Sequence, residues 1–142
     1  MKTNVLIALA LVFSTLFVLD SCQTKDELNY ARYYTGGKVL YEQHCQNCHN
    51  ANGEGLGKLI PPLTDTVFLK NNRQLLACII KHGLKDSIRV NNAIYHEQMP
   101  ANHQLADMDI AQIITYITNS FGNKQGLYDV SLAGSDLKNC RD

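Results

Sequence analysis

"HCQNCH", residues 44–49, sets two thiols and two imidazoles within six positions. Cysteines three positions apart on a helical turn project to the same side. Cys45 and Cys48 are therefore placed to share one partner. Upstream, residues 5–19 are predominantly apolar and uncharged, and Lys2 precedes them. A charged segment followed by an apolar one is the pattern of a secretory signal. The run falls short of the roughly 18 apolar residues of a membrane span, although a retained short anchor would read the same way. Thiols two residues apart do not stay free in an oxidising compartment, so the question is what binds them.

Cys-x-x-Cys followed by His is the attachment pattern of c-type haem. In that arrangement each thiol adds to a vinyl group on one porphyrin edge. His49 then lies under the iron and donates a ring nitrogen to it. Three other arrangements use the same residues. A redox disulfide of the thioredoxin type also takes Cys-x-x-Cys, but it opens a helix after a strand, and here the pair closes a helical stretch. Structural zinc held by Cys45, Cys48, Cys78 and His82 is a reasonable tetrahedral set, yet it leaves His49 and Met99-Pro100 without a role. A direct Cys45–Cys48 disulfide closes a small, strained ring.

Haem iron needs a second axial ligand or an open position. "EQMPA", residues 97–101, offers Met99 in a loop stiffened by Pro100. Thioether sulfur paired with imidazole raises the reduction potential of the iron. Met108 is the competing sulfur, in the first turn of a terminal helix. His82, His96 and His103 are alternative donors that read more simply as surface residues, although His96 and His103 flank Met99 and would replace it in an opened loop.

The rest of the chain reads as helices and loops. "TGGKVLYEQHC" (35–45) is a helix after a loose start, and "NANGEGLGKLIPPL" (50–63), with its glycines and prolines, is loop. "NNRQLLACIIKHG" (71–83) has apolar residues at helical spacing and stops at Gly83. Residues 84–104 show no clean period. "LADMDIAQIITYITNSFGN" (105–123) is the strongest helix, with a stripe of Ile110, Ile113, Ile114 and Ile117 and a stop at Gly122. No strand alternation stands out, so the expected class is all-α. The expected domains are a signal at 1–21, a flexible tether at 22–34, a folded unit at 35–123, and an extension at 124–142 with a short helix near 131–139.

From about Tyr34 to Asn123 the order of "GKVLYEQHCQNCH", "PPL", "YHEQMPA" and the terminal helix resembles the class I cytochromes c, in particular small bacterial single-haem domains. The resemblance implies three to four helices wrapped around one covalent haem c. It implies thioethers at Cys45 and Cys48, His49 as the proximal ligand and Met99 as the distal one. Pro61 would accept the His49 ring N–H through its carbonyl, and Leu63 would pack on the porphyrin. Gly37 and Tyr41 match positions where the first helix crosses the last, against Ile113 and Tyr116. Arg89, Asn91, Asn92 and Tyr95 are candidates for the haem propionates by position. Cys78 and Cys140 are extra to the motif; a bridge between them is expected, with free thiols or an intermolecular bond as the other outcomes.

"LDSC" (19–22) resembles a bacterial lipobox, apart from Asp20, and makes Cys22 the expected lipid attachment site. Ordinary cleavage would leave Cys22 a stray thiol. "QTKDE" (23–27) resembles a surface-export signal of some bacterial lipoproteins. The expected location is thus a bacterial membrane, facing the periplasm or the cell surface. Formal net charge is zero, with 13 basic and 13 acidic residues, which argues against nucleic acid as a partner and against strong electrostatic steering. A six-coordinate haem has no position for substrate, so the expected role is an electron carrier rather than an enzyme. Its partners would be redox proteins: a dehydrogenase or quinol-oxidising complex on one side, a terminal oxidase or reductase on the other. A labile Met99 serving catalysis or gas sensing is the alternative.

Overall fold

Thr24 starts α1 (Lys25–His44). Its hydroxyl accepts the Glu27 N–H at 3.2 Å while the Glu27 carboxylate accepts the Thr24 N–H at 3.0 Å, a reciprocal cap of two orphan donors. The computed structural model describes residues 3–5 and 24–140. The signal segment from residue 6 onward and the lipid site at Cys22 lie outside the described residues. The tether expected over 22–34 is corrected from residue 25 on, since this stretch is the first half of α1. It is polar because only one stripe of α1 is covered, at Tyr33, Gly37 and Tyr41.

α1 is followed by the short α2 (Gln46–His49), α3 (Thr66–Asn71), a 3₁₀ turn (Arg73–Leu75) and α4 (Leu76–His82). A two-stranded antiparallel ribbon comes next, β1 (Ile88–Val90) with β2 (Ala93–Tyr95), in the register Ile88 to Tyr95 and Val90 to Ala93. Then come α5 (Asp107–Ile117) and α6 (Val130–Lys138). The architecture is all-α apart from this ribbon, which the absence of strand alternation did not anticipate. Asn91 and Asn92 both adopt positive φ, 48° and 62°, as a two-residue hairpin turn of type I′ requires. Strands of three residues are too short to show a period.

α1 crosses α5 at Gly37. A Cβ there would stand 2.8 Å from the Tyr116 Cβ and would run into the Gln112 carbonyl, so only glycine lets the two backbones approach this closely. Tyr41, fully buried, packs its ring 5.3 Å from that of Tyr116. The isoleucine stripe of α5 is buried, with Ile110 and Ile114 at 0% exposure. Asp109 takes the capping role at the start of α5, its carboxylate accepting the Ala106 N–H at 2.9 Å. The helix ends at Ile117 rather than near Gly122. Thr118 Oγ1 bonds the Ile114 carbonyl at 2.6 Å, and Asn119 accepts the N–H groups of Gln125 and Gly126 at 3.0 and 2.8 Å. Together they turn the chain.

The extension folds back onto α5. Tyr128 is 2% exposed and exchanges hydrogen bonds with Thr115, whose hydroxyl donates to its carbonyl and accepts its N–H. α6 is capped by Asp129. Near its end, a disulfide joins Cys140 to Cys78 on α4, with Cα atoms 5.6 Å apart, inside the usual range for such bonds. Among the described residues no helix is long and apolar enough to cross a membrane.

Candidate functional site

α1 ends at His44, and Cys45 closes it by donating its N–H to the Tyr41 carbonyl at 2.9 Å. The chain restarts at once as α2. Cys48 and His49 donate their N–H groups to the Cys45 carbonyl at 3.1 and 2.9 Å. This single turn holds the two thiols and the imidazole in a fixed relation. Asn50 stops it with φ 62°. Its carbonyl takes the Tyr41 hydroxyl at 2.6 Å, which ties the turn to α1.

The His49 ring is oriented from behind: Nδ1 lies 3.1 Å from the Pro61 carbonyl. A carbonyl can only accept, so Nδ1 carries the proton and Nε2 keeps its lone pair. Burial lowers the His49 pKa, more strongly than the Pro61 hydrogen bond raises it. The imidazole is therefore neutral near pH 7 and able to bind a metal. Neither Cys45 nor Cys48 forms a disulfide. The Cys45 thiol is pushed up to about 12, first by burial and then by neighbouring Cys48.

The loop from Asn50 to Leu63 is folded under this turn. Gly53, at φ +69°, lies so near Phe121 that a Cβ would stand 2.6 Å from the ring. The Leu63 N–H donates to the Gly53 carbonyl at 2.7 Å. Met99 comes from the other half of the chain. Its N–H donates to the Leu84 carbonyl at 3.0 Å and its carbonyl accepts the Leu84 N–H at 2.9 Å. The loop is thus anchored on both sides of the residue.

Cys45, Cys48, His49, Pro61, Leu63 and Met99 all line one cavity. The space between its walls, with the solvent-open mouth included, is about 1010 Å³. Its remaining walls are mainly apolar, built by α4, α5 and the hairpin. Of the four polar residues expected near the haem propionates, only Tyr95 reaches the cavity; Arg89, Asn91 and Asn92 do not line it. The two asparagines form the hairpin turn instead. His82, His96 and His103 also stand outside the cavity, and Met108 is 40% exposed on α5. The zinc alternative fails because Cys78 is bonded to Cys140. Among the described residues no three His, Cys, Asp or Glu side chains cluster to hold a metal.

Sequence reasoning named Tyr95 but missed the hairpin that carries it and the part of Val90: the two are 6% and 2% exposed and both form cavity wall. The signal was the Asn-Asn pair between "RV" and "AIY". A thiol pair, a neutral imidazole with its outer nitrogen already bonded, a thioether and an apolar wall are the donor set and dryness that covalent haem requires. The residues present fit that group.

A sequence model of the cytochrome c family matches residues 34–120. Cytochrome c-552 of Thermus thermophilus is 30% identical over 91 residues, which are 61% of this chain and 69% of that protein. The cytochrome c subunit of the quinone alcohol dehydrogenase of Gluconacetobacter polyoxogenes is 32% identical over 92 residues, but the match spans only 19% of its length. The corresponding subunit of Gluconobacter oxydans is 26% identical over 127 residues, or 25% of its length. With the match running through the thiol pair, the Pro61 strap, the Met99 loop and α5, the chain belongs to the cytochrome c family, whose domain binds haem c covalently.

Proposed function

We propose that this protein is a membrane-tethered carrier of single electrons, with Cys45 and Cys48 as the thioether positions, His49 as the proximal ligand and Met99 as the distal one. The observation that carries the reading is that these side chains line one apolar cavity, with His49 already held from behind by Pro61.

Haem c supplies a one-electron couple between ferric and ferrous iron. The residues around it keep that couple simple. Pro61 holds the His49 ring and maintains its tautomer, which fixes ligand orientation and basicity. The paired main chains of Met99 and Leu84 keep the thioether in place, which favours a permanent ligand over a labile one. Apolar side chains from α4 and α5 exclude water and favour the less charged ferrous state. The protein binds no substrate in this role and is not itself an enzyme.

Cys22 is the proposed lipid attachment site, and the chain is exported and held at a bacterial membrane. Two acyl chains or more give stable anchoring. The likeness to cytochrome c subunits of quinone alcohol dehydrogenases supports a dehydrogenase among the donors. A quinol-oxidising complex is the other donor class, and a terminal oxidase or reductase the acceptor.

The test is direct. The purified protein is unfolded and extracted with acidified acetone. Retention of the red pigment on the polypeptide supports thioether attachment, and its release would overturn the assignment of Cys45 and Cys48. A visible spectrum of the oxidised form should show the weak long-wavelength band of Met-iron ligation. Mass analysis of the N-terminal peptide should find Cys22 acylated.

A further inference from the structure

The strap that touches His49 contains two consecutive prolines, Pro61 and Pro62. Neither has an N–H, so over this stretch the main chain is gripped chiefly through its carbonyls. The Pro61 carbonyl faces His49 Nδ1. Two residues on, the Leu63 carbonyl accepts a hydrogen bond from Asn123 Nδ2 at 2.9 Å. Asn123 sits just beyond α5 and is 3% exposed. The same nitrogen donates to the Ser120 and Ile117 carbonyls at 3.0 and 3.2 Å. Three carbonyls around one nitrogen fix the orientation of the amide, because a flip would turn its oxygen against all of them.

We propose that Asn123 is a positioning residue for the proximal ligand: by holding the Leu63 carbonyl to the end of α5, it keeps the Pro61 carbonyl at hydrogen-bond distance from His49 and so tunes the basicity of the iron-binding nitrogen. The strap is held from two sides, by Gly53 at the Leu63 N–H and by Asn123 at the Leu63 carbonyl. Without Asn123 the Leu63 end slackens and the His49–Pro61 bond lengthens. A weaker bond leaves a less electron-rich imidazole, which stabilises the ferric state less. The potential then rises. The inference rests on the reading that His49 ligates the haem iron.

The test uses the full-length holoprotein and two variants. Asn123→Ala removes the grip on the strap. Asn119→Ala is the control, because the Asn119 side chain bonds Thr115, Gln125 and Gly126 but neither Pro61 nor Leu63. Two quantities are read: the reduction potential and the exchange rate of the His49 Nδ1 proton, followed by NMR. Asn123→Ala should shift the one-electron equilibrium toward ferrous iron by about threefold or more, near 28 mV at about 59 mV per tenfold, and should speed the proton's exchange. Asn119→Ala should lower stability and change neither. Should Asn123→Ala not accumulate as holoprotein, Asn123→Ser is read in the same way. A potential and exchange rate in the Asn123 variant that match those of the control would overturn the proposal, and so would a fall in potential. A wild-type ferric spectrum in which the His49 ring protons lack paramagnetic shifts would instead overturn the ligand reading itself.

Discussion

Gly37 on α1 and Tyr116 on α5 are packed so closely that a methyl group on Gly37 would come within 2.8 Å of the Tyr116 Cβ. The obstacle includes the Gln112 backbone, which cannot turn aside as a flexible side chain would. Because α5 carries the isoleucines that face the haem cavity, this crossing sets where the cavity wall stands.

Gly37→Ala is therefore expected to destabilise the holoprotein by about 1–3 kcal/mol through overpacking. Denaturant midpoints of wild type and variant measure this. An unchanged midpoint would mean that the helices separate without cost.

Met99→Ala should lower the reduction potential and open one face of the iron, since the thioether is what raises the potential in His/Met sites. Carbon monoxide should bind the reduced variant and not the reduced wild type. A carbon monoxide difference spectrum decides the matter. A variant whose spectrum matches the wild type would remove Met99 from its role.

Replacing Cys78 and Cys140 by Ser frees the extension from α4. The bridged residues are 62 positions apart, and closing a loop of that size is worth about 4 kcal/mol in the chain-entropy account, with about 2–4 typical of measured bonds. The double variant should lose stability in that range while keeping its haem spectrum. Thiol titration of the unfolded wild type should find neither cysteine free.

Acid should weaken the capped start of α6 through Asp129. Its carboxyl is held below the ordinary range, first by the Ser131 hydroxyl and then by the Leu132 N–H. The unfolded chain therefore takes up the proton at higher pH than the folded one. The charged cap contributes stability above the unfolded value, about 3.9, and loses it as pH falls through the lower folded value. The group is mostly exposed, so the effect is small and weakens in salt. Asp129→Asn keeps a cap acceptor without the charge and should flatten the stability profile between about pH 5 and pH 2. Asp129→Ala should cost about 1 kcal/mol at neutral pH. Thermal midpoints across pH measure both.

Much of the site was readable because its chemistry is local. Cys45, Cys48 and His49 fall within one helical turn, and their spacing alone places two thiols beside one imidazole. The stripe of α5 was equally plain, since four isoleucines at helical spacing have one way to be buried. The start of α1 was also written in the chain, as Thr24 and Glu27 three residues apart. It was hidden by a polar composition that reads as a leash.

The rest depended on contacts between distant residues. Met99 was preferred to Met108 because Pro100 stiffens its loop, and the family resemblance pointed the same way; only the folded chain puts Met99 on the same cavity as His49 while leaving Met108 on the surface. The hairpin forms because three-residue strands gain from cavity wall packing what their own sequence is too short to specify. Asn123 meets Leu63 across 60 positions, a pairing that no local pattern encodes. Amino-acid spacing determined which atoms are available to bind haem; the packing of α1 on α5 and of α4 against the Met99 loop decided which of them surround one dry cavity, because burial and hydrogen bonding act between surfaces that meet only after folding.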